Sequence, residues 1–200
     1  MFDEKEIWEK FKYGDKNATS HIYYQHVQLL YRYGMKFTTD SELVKDTIQE
    51  LFFDLIRTRS NLGATDNIRF YLVKAFRRRI IYELQKKPHF KDTEESEYAS
   101  LLTITYSYEE ELINQEDLTR REHLVQKGLQ ELSPKQREIL FYRFSCDFEY
   151  DQICEIMKMK YDSARKMVFR ALKSLKENLQ VNEFHFFVLH LQKIIPSFQK

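Results

Sequence analysis

Residues 153–176, "ICEIMKMKYDSARKMVFRALKSLK", hold an apolar segment with helical spacing, a break of three or four residues, and a second segment studded with arginine and lysine. In the second segment Ala164, Val168, Ala171, Leu172, Leu175 and Leu179 fall on one face of a helix predicted over 161–179. Arg165, Lys166, Phe169, Arg170 and Lys173 project from the other faces. Such a helix fits the major groove of DNA, where arginine and lysine meet phosphates or guanine edges and a phenylalanine touches a thymine methyl. A solvated basic helix in a bundle is the plain alternative. The preceding "YDQICEIMKM" argues against it, because a short apolar helix joined by a tight turn to a cationic one is the helix-turn-helix pattern.

The rest of the chain supports a helical, phosphate-seeking protein. Its 200 residues are 42% hydrophobic, which is enough for one or two small domains with real cores. Only four glycines and three prolines interrupt a composition rich in leucine, glutamate, lysine, glutamine and arginine, so the expected fold class is all-α. A formal net charge of +1 hides strong alternation. Residues 69–87 hold seven basic residues against one acid, residues 88–122 three against ten, and residues 157–180 seven against two. Two basic patches separated by an acidic stretch are an electrostatic footprint of phosphate binding.

Several functional classes find no support. No run reaches the roughly 18 uncharged apolar residues of a membrane span, and "MFDEKEIWEK" carries acids where a signal peptide has a basic start; a cytoplasmic protein, not a membrane protein, is expected. Cys146 and Cys154 come without histidine at metal spacing and read as core residues. Glu109, Glu110 and Glu111 are adjacent and do not converge on a metal. There is no nucleophile with a base, no phosphate loop and no zinc pattern, so neither catalysis, a cofactor nor a small-molecule substrate is expected.

Residues 4–33 predict two helices broken at "GDKNATS", and "TTDSELVKDTIQELFFDLIRTRS" predicts a third, capped by Asp40 or Ser41, with Leu43, Ile48, Leu51, Phe52, Leu55 and Ile56 on one face. "NLGATDN" offers Asp66 or Asn67 as the cap of a fourth, "IRFYLVKAFRRRIIYELQKK", which Pro88 stops. From 88 to 120 the apolar period is lost and glutamate, serine, threonine and tyrosine dominate, as in a linker. Downstream, four segments regain helical spacing, and Ser133 with Pro134 is an N-cap followed by proline at the first helical position. The domains are therefore 1–88, an acidic linker 89–120, a helix-turn-helix domain 121–180, and an apolar helical extension 181–200.

"LSPKQREILFYRFSCDFEYDQICEIMKMKYDSARKMVFRALKSLKENL" resembles the C-terminal promoter-binding domain of bacterial RNA polymerase sigma factors of the extracytoplasmic function (ECF) group, on Leu132, Pro134, Gln136, Arg137, Glu138, Tyr150, Ile153, Glu155, Ile156 and "RALKSLKENL". "LYRYGMKFTTDSELVKDTIQELFFDLIRT" with "NIRFYLVKAFRRRIIYELQKK" resembles the N-terminal sigma domain. The resemblance implies a protein that binds core RNA polymerase and promoter DNA and is held silent by an anti-sigma factor. For the upstream, minus-thirty-five element it implies contacts from Ser163, Arg165, Lys166, Phe169, Arg170 and Lys173. For the melted minus-ten strand it implies Asn61, in the base-capturing loop "RTRSNLGATDN", together with Arg77, Arg78, Arg79, Tyr82, Lys86 and Lys87. For polymerase docking it implies Asp46, Gln49, Glu50, Phe53 and Asp54. Phe70, Tyr71 and Phe76 lie near the apolar stripe and suit the core as well as base stacking.

The chain departs from the family at three positions: Lys158 stands where the turn usually has glycine, Cys154 where the brace has alanine, and Met167 where an arginine is common. Lysine at positive φ costs roughly 1 kcal/mol. Two rivals remain from the residues alone: a helix-turn-helix regulator that binds duplex DNA unaided, and a helical adaptor or sequestering protein whose basic faces meet acidic partners. The tail adds a separate expectation. Phe184, Phe187, Val188, Leu191, Ile194 and Ile195 form one helical stripe, and burying six such side chains contributes roughly 9 to 18 kcal/mol before entropy is deducted. That stripe is expected to pack on the second domain or bridge to the first, the other reading being an interface for an inhibitor or a second copy.

Overall fold

The structure is a computed structural model that describes residues 3–86, 128–129 and 131–178. The chain divides into two compact units, Met1–Tyr98 and Ala99–Lys200, and every regular element among the described residues is helical. The first unit contains α1 (Glu4–Lys12), α2 (Lys16–Gly34), α3 (Ser41–Thr58), a 3-10 turn (Arg59–Asn61) and α4 (Ile68–Gln85). The second contains α5 (Pro134–Leu140), α6 (Tyr150–Met157) and α7 (Tyr161–Asn178). The linker, most of 121–132 and the apolar extension lie outside the described residues.

Each helix of the first unit starts where a short polar side chain accepts a backbone N–H that the helix itself cannot satisfy. Asp15 Oδ1 accepts from Ala18 N at 2.8 Å, Asp40 Oδ1 from Leu43 N at 3.0 Å, and Asn67 Oδ1 from Phe70 N at 2.8 Å. Gly14 turns the chain between α1 and α2 at φ +87°, a conformation that glycine adopts freely. The apolar stripes then meet in one core, built on Trp8, Leu30, Tyr33, Val44, Leu72, Val73, Phe76 and Ile80. Gly34 allows this close approach, since a Cβ there would lie 2.5 Å from a Val44 methyl and 2.9 Å from the Phe76 ring. The stripe of α3 is narrower than its sequence suggests: Leu51, Phe52 and Leu55 are buried, whereas Ile56 is 38% exposed.

In the second unit Ser133 and Gln136 form a reciprocal capping box, with Gln136 N donating to Ser133 Oγ at 3.3 Å and Ser133 N to Gln136 Oε1 at 2.9 Å. Pro134 occupies the first turn. After Leu140 the helix widens into a π-turn, Phe141–Ser145, closed by Cys146 N donating to Phe141 O at 3.0 Å. The turn lies among buried Phe141, Tyr142, Cys146 and Phe148. Inside this core the Tyr142 hydroxyl donates to Glu138 Oε1 at 2.7 Å, giving a buried carboxylate a partner.

His26 is buried on α2, and its pKa is lowered to about 4 by burial first, then by the charges of Arg69 and His21. Both folded and unfolded chains hold it neutral above pH 6.5. Between about pH 6.5 and 4 the unfolded chain takes up a proton that the folded chain refuses, so stability falls with pH. Replacing His26 with leucine is expected to flatten denaturant midpoints across that window, removing an acid loss of up to about 3 kcal/mol. An unchanged acid slope contradicts this assignment.

Candidate nucleic-acid interface

The second unit orients its cationic helix by burial. Ala164, Val168, Ala171 and Leu175 of α7 are buried, and α7 packs on both α5 and α6. Every position predicted to face the upstream element is consequently exposed: Ser163, Arg165, Lys166, Phe169, Arg170 and Lys173. Phe169 is 68% exposed, an apolar ring held in water on a positive surface. Lys173 lies 3.8 Å from Glu177, a solvated pair of little energetic weight. Met167, where the family often has arginine, is half-buried. Periodicity alone does not single out Tyr161, which stands exposed at the start of α7 with its ring 5.5 Å from that of Tyr150.

α6 ends on Lys158 at φ 52° and ψ 48°, a left-handed cap of the kind that glycine adopts most freely. The turn is fastened by Met159 N donating to Cys154 O at 3.1 Å, so α7 begins after only three linking residues. Cys154 is half-buried, and burial, then the Asp151 charge, raises its thiol pKa. This thiol within the brace therefore stays protonated rather than becoming a nucleophile.

In the first unit α3 presents a polar row. Asp46, Gln49, Glu50 and Phe53 are exposed and Asp54 is half-buried, at the spacing of one helix face. Phe53, 67% exposed, and Ile56 give that row an apolar centre, and Arg57 donates to Asp54 Oδ1 at 2.9 Å. Around the 3-10 turn, Asn61 is exposed beside a loop whose Gly63, Ala64 and Asp66 are also exposed.

The basic residues of α4 separate by role. Arg78 is exposed, and Tyr82 is exposed with Lys86 Nζ 4.5 Å from its ring centre. Lys86 also donates to Glu83 at 2.8 Å, and that hydrogen bond raises its pKa. Arg79 is engaged with α3, donating to Glu50 Oε2 at 2.9 Å and to Asp54 Oδ2. Burial pushes the Asp54 carboxyl up, but the hydrogen bonds and charges of Arg79 and Arg57 outweigh it and hold the group below its usual pKa. Arg78, Arg79, Tyr82 and Lys86 line a groove of about 570 Å³ with Glu50, Asp54 and Tyr71; Asn61 and Arg77 do not. Phe76 is fully buried in the core, Phe70 and Tyr71 are half-buried, and Lys87 lies outside the described residues.

A brace helix, a three-residue turn opened by left-handed Lys158 and a helix with a dry side and a cationic side define a helix-turn-helix DNA-binding protein, here joined to a second helical unit with its own exposed polar row. Residues 122–175 match the family model for sigma-70 region 4, and residues 22–88 match that for sigma-70 region 2. The chain is also 21% identical over 164 residues to RNA polymerase sigma factor YlaC of Bacillus subtilis (strain 168), covering 82% of this chain and 93% of that protein. The chain belongs to the sigma-70 family, in its ECF group. Among the described residues no helix is long and apolar enough to cross a membrane, and no group of histidine, cysteine and acids is placed to hold a metal.

The strain at Lys158 is testable. Lys158→Gly removes a left-handed side chain that costs roughly 1 kcal/mol and is expected to raise the temperature at which the second unit melts within the full chain by a few degrees. A lowered melting temperature would show that the lysine side chain contributes more than its backbone costs.

Proposed function

We infer that this chain is a dissociable initiation subunit that binds core RNA polymerase and directs promoter-specific transcription initiation, itself performing no catalysis. The observation that carries this reading is the pairing of two chemically opposite faces on separate units: the cationic face of α7 and the acidic, Phe53-centred row of α3. An independent helix-turn-helix regulator has no need of a sigma-70 region 2, and an adaptor has no need of a recognition helix, so neither rival accounts for both units.

The roles divide by chemistry. Arg165, Lys166, Arg170 and Lys173 neutralise phosphates or read guanine edges of the upstream element, while Phe169 supplies an apolar contact and Ser163 a hydroxyl at the helix start. Asp46, Gln49, Glu50, Phe53 and Asp54 dock α3 on the polymerase. In the melted minus-ten strand, Arg78, Tyr82 and Lys86 offer charge and a stacking surface, with Lys87 and Arg77 adding charge and Asn61 reading an unstacked base. Arg79 orients α4 on α3 through Glu50 and Asp54, so its contribution to DNA is indirect. The acidic segment 89–120 acts as the tether between the two binding units. An anti-sigma factor is the expected regulator, and the cytoplasm the expected compartment.

Replacing Arg165 and Arg170 with alanine is expected to weaken upstream-element binding by the holoenzyme about tenfold or more while leaving its affinity for core polymerase unchanged. Replacing Asp46 and Phe53 with alanine is expected to do the reverse, weakening core binding about tenfold or more. Fluorescence anisotropy on the two ligands separates these effects. Loss of core binding in the α7 variant, or unchanged core binding in the α3 variant, contradicts the assignment.

A further inference from the structure

We propose that α1 is a brace that sets the shape of the melted-strand loop, with Trp8 and Glu4 as its positioning residues. The proposal rests on the reading of residues 57–67 as the base-capturing element, and α1 itself precedes the residues matched to region 2.

α1 fastens the loop and the start of α4 at two points. Trp8 is 1% exposed, and its indole N–H, the side chain's single donor, donates to Gly63 O at 2.8 Å, 55 residues along the chain. Glu4 Oε2 accepts from Ile68 N at 2.9 Å, satisfying a first-turn amide of α4 beside the one that Asn67 satisfies. At the other end of α1, Gly14 leaves space for Arg59: a Cβ there would lie 3.2 to 3.4 Å from the guanidinium that opens the 3-10 turn.

Packing alone does not require this arrangement. Trp8 lies against Phe11 and Tyr71 with ring centres 5.4 and 5.0 Å away, contacts that a phenylalanine reproduces in kind. The hydrogen bond to the loop carbonyl is what a phenylalanine lacks. Around these bonds the loop is open: Asn61, Gly63, Ala64 and Asp66 are exposed, and nothing lies within 4 Å of where a Gly63 Cβ would sit. Thr65 Oγ1 adds a local tie by accepting from Asn67 N at 3.2 Å. The loop is thus held by its backbone from one side while its other side is left to a ligand, which lowers the ordering cost when an unstacked base binds.

The test uses the full chain assembled with core RNA polymerase and a randomised single-stranded DNA 12-mer pool as probe. Bound strands are sequenced, and base enrichment is read at the most selective position. Trp8→Phe and Glu4→Ala are each expected to lower that enrichment about five- to tenfold, the scale of one lost hydrogen bond, and to speed amide exchange over residues 61–68. Glu4→Gln, which keeps an acceptor oxygen, is expected to retain both properties. Wild-type enrichment in Trp8→Phe and Glu4→Ala overturns the proposal, including the case in which loop exchange is faster. Should Trp8→Phe fail to fold, the exposed Glu4 pair decides alone. Asn61→Ala separates the two levels of the argument. If it abolishes enrichment while the α1 variants do not, the brace is wrong and the capture loop stands; if it changes nothing, the capture reading fails and the brace falls with it.

Discussion

A helix that buries Ala164, Val168, Ala171 and Leu175 has only one rotation about its own axis, and this constraint decides what α7 shows to the outside. With 3.6 residues per turn, Arg165, Lys166, Phe169, Arg170 and Lys173 have nowhere to go but outward. The direction of the helix depends on the same core. α5 and α6 supply the surface that receives the stripe, and the left-handed cap at Lys158 brings α7 back onto α6 within three residues. A longer or looser turn would leave the stripe buried but free the helix to tilt, and groove recognition tolerates little tilt.

The first unit solves a different problem with the same means. α3 is buried through Val44, Ile48, Leu51 and Leu55, which leaves Asp46, Gln49, Glu50 and Phe53 outside. α4 is buried through Leu72, Phe76 and Ile80, which leaves Arg78, Tyr82 and Lys86 outside. Arg79 joins the two surfaces by bonding Glu50 and Asp54 across the groove. Glu50 and Asp54, assigned to polymerase docking, therefore adjoin Arg78, Tyr82 and Lys86, assigned to the melted strand, along one groove, and a substitution at Glu50 or Asp54 is expected to disturb both.

Much of this was legible from local chemistry. The caps Asp40, Asn67 and Ser133, the break at Gly14 and the dry stripe of α7 depend on neighbours within four residues, and sequence spacing reports such neighbours well. The positive φ at Lys158 was readable through family resemblance, because lysine itself gives no hint of a left-handed cap. What escaped the sequence is long-range or geometric. The π-turn at Phe141–Ser145 keeps helical periodicity in its letters while shifting the bonding to i−5, as from Cys146 N to Phe141 O. Arg79 looks identical to Arg78 until carboxylates 25 and 29 residues away are placed beside it. The bond from Trp8 to Gly63 has no local signature at all.

Polymerase binding and promoter specificity meet in this one chain. The direct measurement is mapping of transcript 5′ ends made by core RNA polymerase on a promoter-fragment library, with and without the protein. Start sites are expected that appear only when the chain is present and share a sequence element upstream of the melted region. Transcripts with the same start sites whether or not the chain is added would contradict this reading.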